Sequence, residues 1–213
     1  MLRLSLFFAL GLAGVSPAAE PDVVTDAVHR LTSADPAWSD FAAAFAHKPD
    51  ATADFSERRF FPFKRTPVEL KGEARVAAAR GLSLHYTEPE ERTVILDSAG
   101  VLVRQRAGDS APPPDPRANA ANAALVHVLR FDLPALTDSF EVYGQRDGNA
   151  WAIALVPLAT EVRRLVDRIV VAGEGVAVHR IEIRHSAKQY VEILVGPSRP
   201  APFTAEELKR FFR

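Results

Sequence analysis

The 213-residue chain has Lys+Arg 26 against Asp+Glu 27, a formal net charge of -1, with the two signs interspersed. This balance argues against nucleic acid as a partner and against a basic membrane-binding patch. With no Cys, the chain forms no disulfide, thiolate metal site or Cys nucleophile.

Met1-Leu2-Arg3 supplies a positive charge, Leu4 to Val15 is apolar, and Ser16-Pro17-Ala18-Ala19 offers small residues for cleavage. This is the layout of a secretory signal peptide over residues 1–19. The apolar run falls short of the ~20 residues a transmembrane helix needs. The mature chain, residues 20–213, is expected to be a single exported periplasmic domain that begins near Ala19 or Glu20. A first helix is predicted over Asp22–Thr32. A second is predicted over Ala37–His47, with Asp35 as cap, Pro36 in its first turn and Trp38, Phe41, Ala42 and Phe45 on one face.

Strands are predicted next from Ala53 to about Phe60, then at Val68–Ala77, Leu82–Thr87, Thr93–Asp97 and Val101–Gln105. After Gly72 the even positions Ala74, Val76, Ala78, Arg80, Leu82, Leu84 and Tyr86 form a mostly apolar set. Because successive strand side chains point to opposite faces, the odd set is expected to face water. The four prolines of Asp109–Pro116 predict an exposed loop. A helix over Arg117–Arg130 follows, with Ala121, Ala124, Leu125 and Val128 as a narrow apolar stripe, and Phe131–Leu136 is read as its short continuation.

The last third predicts strands at Phe140–Gln145, Ala150–Pro157, Leu165–Ala172, Ala177–Arg184 and Gln189–Val195, punctuated by Asp147-Gly148-Asn149 and Gly173-Glu174-Gly175. Gly196–Pro202 reads as a tail, and Thr204 with Glu207 as a capping box for a last helix, Ala205–Phe212. Many antiparallel strands with few helices make an α+β chain with one large curved sheet.

The sequence holds no Gly-x-Ser-x-Gly elbow, His-Glu-x-x-His helix or phosphate-cradling glycine loop, and we assign no catalytic residue, cofactor or metal. His179 and His185 lie six apart with no third ligand evident. Glu88, Glu90 and Glu91 read as a charged hairpin rim.

The ordered segments Asp54-Phe55-Ser56-Glu57-Arg58, Leu70-Lys71-Gly72-Glu73-Ala74-Arg75-Val76, Leu82-Ser83-Leu84-His85-Tyr86-Thr87-Glu88-Pro89, Thr93-Val94-Ile95-Leu96-Asp97 and Leu155-Val156-Pro157-Leu158 resemble the periplasmic outer-membrane lipoprotein carrier (LolA-like) family. The resemblance implies an unclosed β-barrel, a strongly curved antiparallel sheet with helices forming a lid over its concave apolar face. It implies a carrier, not an enzyme, that shelters the acyl chains of a lipoprotein or other lipid. Its partners would be an inner-membrane donor and an outer-membrane acceptor, and the carrier itself would be a monomer. On that reading Val76, Ala78, Leu82, Leu84 and Tyr86 wall the cavity, while Trp38, Phe41, Phe45, Ala121, Leu125 and Val128 form the lid. The family's latch Arg aligns with Ala78; Arg80, two positions on, is the candidate replacement, which would reach lid carbonyls near residues 125–130, the alternative being a solvated strand-end charge. Leu82 and Leu84 stand where the family has aromatic residues, as befits a divergent member. The alternative from another class is a periplasmic sensor or structural module whose apolar face is permanently covered.

Overall fold

Alternating residues from both halves of the chain pair into one antiparallel sheet. In this computed structural model the described residues are 29–32, 35–110, 126–128 and 130–213. They form β1 (Arg30–Leu31), α1 (Pro36–Ala46), β2 (Ala51–Phe60), β3 (Val68–Ala77), β4 (Gly81–Glu88), β5 (Arg92–Asp97), β6 (Gly100–Gln105) and β7 (Gly108–Ser110). After these come α2 (Leu133–Ser139), β8 (Phe140–Asp147), β9 (Ala150–Pro157), α3 (Thr160–Arg163), β10 (Arg168–Glu174), β11 (Ala177–Ser186), β12 (Gln189–Val195), β13 (Arg199–Pro200) and α4 (Ala205–Phe211). The expected signal segment, residues 22–28 of the expected first helix, and lid residues Ala121 and Leu125 lie outside the described residues.

The strand order is β1-β8-β9-β10-β11-β12-β2-β3-β4-β5-β6-β7, with β13 also on β2. The ends, β1 and β7, do not pair with each other, so the strongly curved sheet is an unclosed barrel. The long-range seam is β12 on β2, where Val195 faces Phe55 and Ile193 faces Glu57. That seam joins the meander β2–β7 to the meander β8–β12, and main-chain hydrogen bonding continues across it.

Two layers cover the two faces. The inner face carries the main cluster: Phe55, Leu70, Ala74, Leu82, Leu84 and Leu96 from one half, and Val142, Trp151, Ile153, Leu155, Ile169 and Val171 from the other. The outer face was expected to meet water, yet Arg75, Ala77 and Ser83 are buried there. The reason is α4, whose Phe211 packs with Phe212 and Ala77 in a second cluster that Phe203 and Leu208 flank. Arg75 lays its guanidinium 3.6 Å from the centre of the Phe211 ring, which lets a charged side chain cover an apolar one.

Helix α4 is held at both ends. Thr204 and Glu207 form the expected capping box, and Arg104 Nη1 donates to the carbonyl oxygens of Lys209 (3.0 Å), Arg210 (2.7 Å) and Phe212 (3.3 Å). A cation on the last carbonyls satisfies groups the helix leaves open and complements its dipole. Thr204→Ala is expected to lower unfolding stability by about 1 kcal/mol, as loss of such a cap does, read as a fall in the urea midpoint with unchanged slope.

Three other expectations change. Arg30–Leu31 is a strand on β8, not the end of a helix. Phe131 does not continue the preceding helix. It takes a left-handed φ of 50°, and α2 starts afresh behind Asp132, whose carboxylate accepts from Ala135 N at 3.2 Å. Such a conformation costs a side-chain-bearing residue about 1–2 kcal/mol. Burial of the Phe131 ring, 2% exposed, offsets that cost. The tail at Gly196–Pro202 gains a short strand, with Arg199 opposite Thr52.

Candidate apolar binding hollow

The inner face is not filled evenly. On its β8–β9 half, the lid residues of α1 form a tight aromatic group with Phe131 and Trp151. Trp38 stacks on Phe131 with ring centres 5.5 Å apart, and Phe41 meets Phe131 edge-on at 4.6 Å. Phe41 and Phe45 approach Trp151 at 5.3 and 5.7 Å. Edge-on and offset pairs of this kind add to the burial of the rings. Val128, 1% exposed, belongs to the same cluster.

The seat for this lid is Gly144, which has no side chain where Trp38 and Leu31 cross β8. A methyl group there would sit 2.5 Å from Trp38 Cζ2 and 2.6 Å from Leu31 Cδ1. Gly144→Ala is therefore expected to push the start of α1 off the sheet and cost about 1–3 kcal/mol, the usual range for overpacking. Urea unfolding followed by tryptophan fluorescence would measure it.

Across the sheet the aromatic cover is missing and an apolar hollow remains, about 640 Å³ including its open mouth. Its floor comes from Ala51, Ala53 and Phe55 on β2, Ala74 and Val76 on β3, and Leu82 and Leu84 on β4. Val178, Ile181, Ile193 and Val195 of β11–β12 close the other wall. Small residues on β2 and β3 make the room: Ala53 faces Ala74 across the pair, and Ala51 faces Val76. Lys48, just past α1, is the cation at the rim, and burial lowers the pKa of its ammonium group.

The expected wall residues divide. Val76, Leu82 and Leu84 line the hollow. Tyr86 stands on the same face beyond it, its ring edge-on to Phe55 at 5.1 Å and its hydroxyl donating to Glu57 Oε2 at 2.6 Å. Glu57, 3% exposed, also accepts from Arg59 Nε. Burial first, then the Glu57 charge, pushes the Tyr86 hydroxyl well above the ordinary phenol range, so it stays a donor. At this end of the inner face the polar groups of Tyr86 and Glu57 satisfy each other.

Ala78 and Arg80 fall in the exposed turn that follows β3. The turn ends the period of two, so Arg80 leaves the inner face. Its guanidinium donates to the main-chain oxygen of Arg213, not to carbonyls of residues 126–128 or 130. The latch expected of Arg80 is thus replaced by a contact that ties the turn to the C-terminus.

Sequence reasoning missed the β2 and β11–β12 walls. Their signal was present in the alternation of Ile181 with Glu182 and of Ile193 with Glu192, but which strands lie beside β2 is set by long-range pairing. Among the described residues there is no group of three or more His, Cys, Asp or Glu side chains suited to a metal, and His185 Nδ1 lies 2.7 Å from the Leu165 carbonyl oxygen. No described helix is long and apolar enough to cross a membrane.

No protein-family model matches the chain, and no curated protein does. Among solved structures it is similar to a LolA superfamily protein from Nitrosomonas europaea: 6% identity, TM-score 0.43, covering 83% of this chain and 96% of that one. It is also similar to a putative outer membrane lipoprotein-sorting protein domain from Vibrio parahaemolyticus: 8% identity, TM-score 0.42, covering 81% and 94%. A third is MucB in complex with MucA: 10% identity, TM-score 0.42, covering 80% of this chain and 57% of that one.

Proposed function

We propose that the protein is an exported, periplasmic carrier that binds the acyl chains of a lipoprotein or another lipid in the hollow and performs no chemistry. In this role it would take cargo from an inner-membrane donor and pass it to an outer-membrane acceptor, acting as a monomer. The observation that carries the reading is the open hollow walled by Ala53, Phe55, Val76, Leu82, Leu84 and Ile193 beside a helical lid. The ordered motifs that resemble the lipoprotein carriers, and the signal-peptide layout, support it. Each CH₂ moved from water into such a lining gains ~0.8 kcal/mol, so a long chain supplies enough free energy to displace neighbouring side chains.

The test is a fluorescent fatty-acid probe titrated into the purified mature chain. Saturable one-to-one binding, displaced by extracted lipid, is the expected result. No binding would favour the second reading, a sensor or structural module, for which the tight aromatic group of Phe41, Phe45, Phe131 and Trp151 is the specific observation.

A further inference from the structure

Among the described residues that line the hollow, Lys48 alone carries a charge, and no carboxylate accompanies it. It sits half-buried just past α1. Its amide donates to the Phe45 carbonyl at 3.1 Å, and its ammonium lies 5.8 Å from the centre of the Phe45 ring. Apart from Lys48, the polar residues of that lining are Thr52 and Ser198. The Thr52 hydroxyl is taken up by Glu73 Oε1 and by the Ala74 carbonyl oxygen at 3.2 Å, and Ser198 is uncharged.

An ammonium group against a hydrocarbon wall is costly unless an anion meets it. Among the described residues the Lys48 ammonium has no ion pair and donates no hydrogen bond. Asp50, two positions on, is engaged elsewhere, since its Oδ1 accepts from the Ala78 amide at 2.9 Å. Burial is the cause that lowers the Lys48 pKa, and no neighbouring carboxylate opposes it. A lysine serving only the end of α1 would stretch its stem and hold the ammonium in water. Lys48 keeps it at the rim of the hollow instead.

We propose that Lys48 selects a cargo made of one long acyl chain that ends in a free carboxylate. The chain would fill the hollow, and the carboxylate would stay at the rim and accept from Lys48 Nζ. This inference rests on the carrier reading above and narrows its cargo. Size agrees with a single chain, because about 640 Å³ with the mouth included falls among pockets that hold one small ligand. An ester- or amide-linked acyl group brings no anion to the rim. A carboxylate does, and a charge-assisted hydrogen bond gains strength where water is scarce.

The experiment displaces a neutral fluorescent probe, N-phenyl-naphthylamine, from the folded mature chain with palmitate or with hexadecanol. The two competitors share one chain length and differ in charge. The parent should favour palmitate. Lys48→Met should weaken palmitate about tenfold, as removing one side of a charge-assisted hydrogen bond in an apolar site does, without weakening hexadecanol. Lys48→Arg should keep the preference, and Lys188→Met, in an exposed turn outside the hollow, should match the parent. Equal binding of the two competitors by the parent, or undiminished palmitate binding by Lys48→Met, would overturn the proposal and leave the carrier reading standing. Loss of both competitors in Lys48→Met would assign Lys48 a structural role and overturn it as well. A parent chain that binds neither competitor would remove the carrier reading and this proposal together.

Discussion

Leu84→Glu is expected to abolish binding of a fatty-acid probe while leaving the chain folded. Leu84 lines the hollow, flanked by Ala74 on β3 and Val94 on β5. A carboxylate there has no cation beside it on β3 or β5, the one cation of the lining being Lys48 at the rim, and an unpaired polar group in an apolar site costs roughly 2–7 kcal/mol. Even the low end weakens binding by about thirtyfold, since 1.4 kcal/mol is a factor of ten. The empty protein loses less, because water enters the open mouth and solvates the new charge. Leu194→Glu serves as control: Leu194 is 39% exposed on the opposite face of β12 and lies outside the hollow. Probe titration with circular dichroism on the same samples separates lost binding from lost fold. Full binding by a folded Leu84→Glu chain would place the acyl site elsewhere.

The second large effect is expected at the lid. Phe41, 7% exposed, touches Trp38, Phe45, Phe131 and Trp151. Phe41→Ala should cost the empty protein about 3–5 kcal/mol, the usual range for a buried aromatic. If α1 is displaced when an acyl chain enters, the bound state has already given up part of these contacts and loses less. Lipid affinity should then rise while the thermal midpoint of the empty protein falls. Equal destabilisation with and without lipid would show that α1 stays in place, as in a permanently closed module. The hollow lies beside the aromatic group and not under it, so the lid competes chiefly with long chains that outrun the hollow.

Much of this arrangement could be read from the residues. The period-two runs of β3 to β6 and β8 to β12 appear where the alternation placed them, and Thr204 with Glu207 cap α4 as their spacing requires. Val76, Leu82 and Leu84 were legible as wall because strand parity fixes a face. Parity then failed at Ala78 and Arg80, because a turn resets the phase. It also failed on the odd positions, where Ala77 and Ser83 look like solvent-facing residues until the Phe211–Phe212 pair folds back over them. That return comes from the far end of the chain, and local pattern carries no trace of it. The β2–β12 seam was hidden for the same reason. Phe131 departed from helical expectation because the burial of one ring in the aromatic group outweighed a local backbone preference.

The most direct test of the carrier reading is native mass spectrometry of the chain recovered from its own exported fraction without added lipid. The expected spectrum shows the mature polypeptide, beginning near Ala19 or Glu20, together with a population heavier by one lipid or one acylated polypeptide, released on collisional activation. The bare polypeptide mass alone, from a preparation that also takes up no fatty-acid probe, would contradict it.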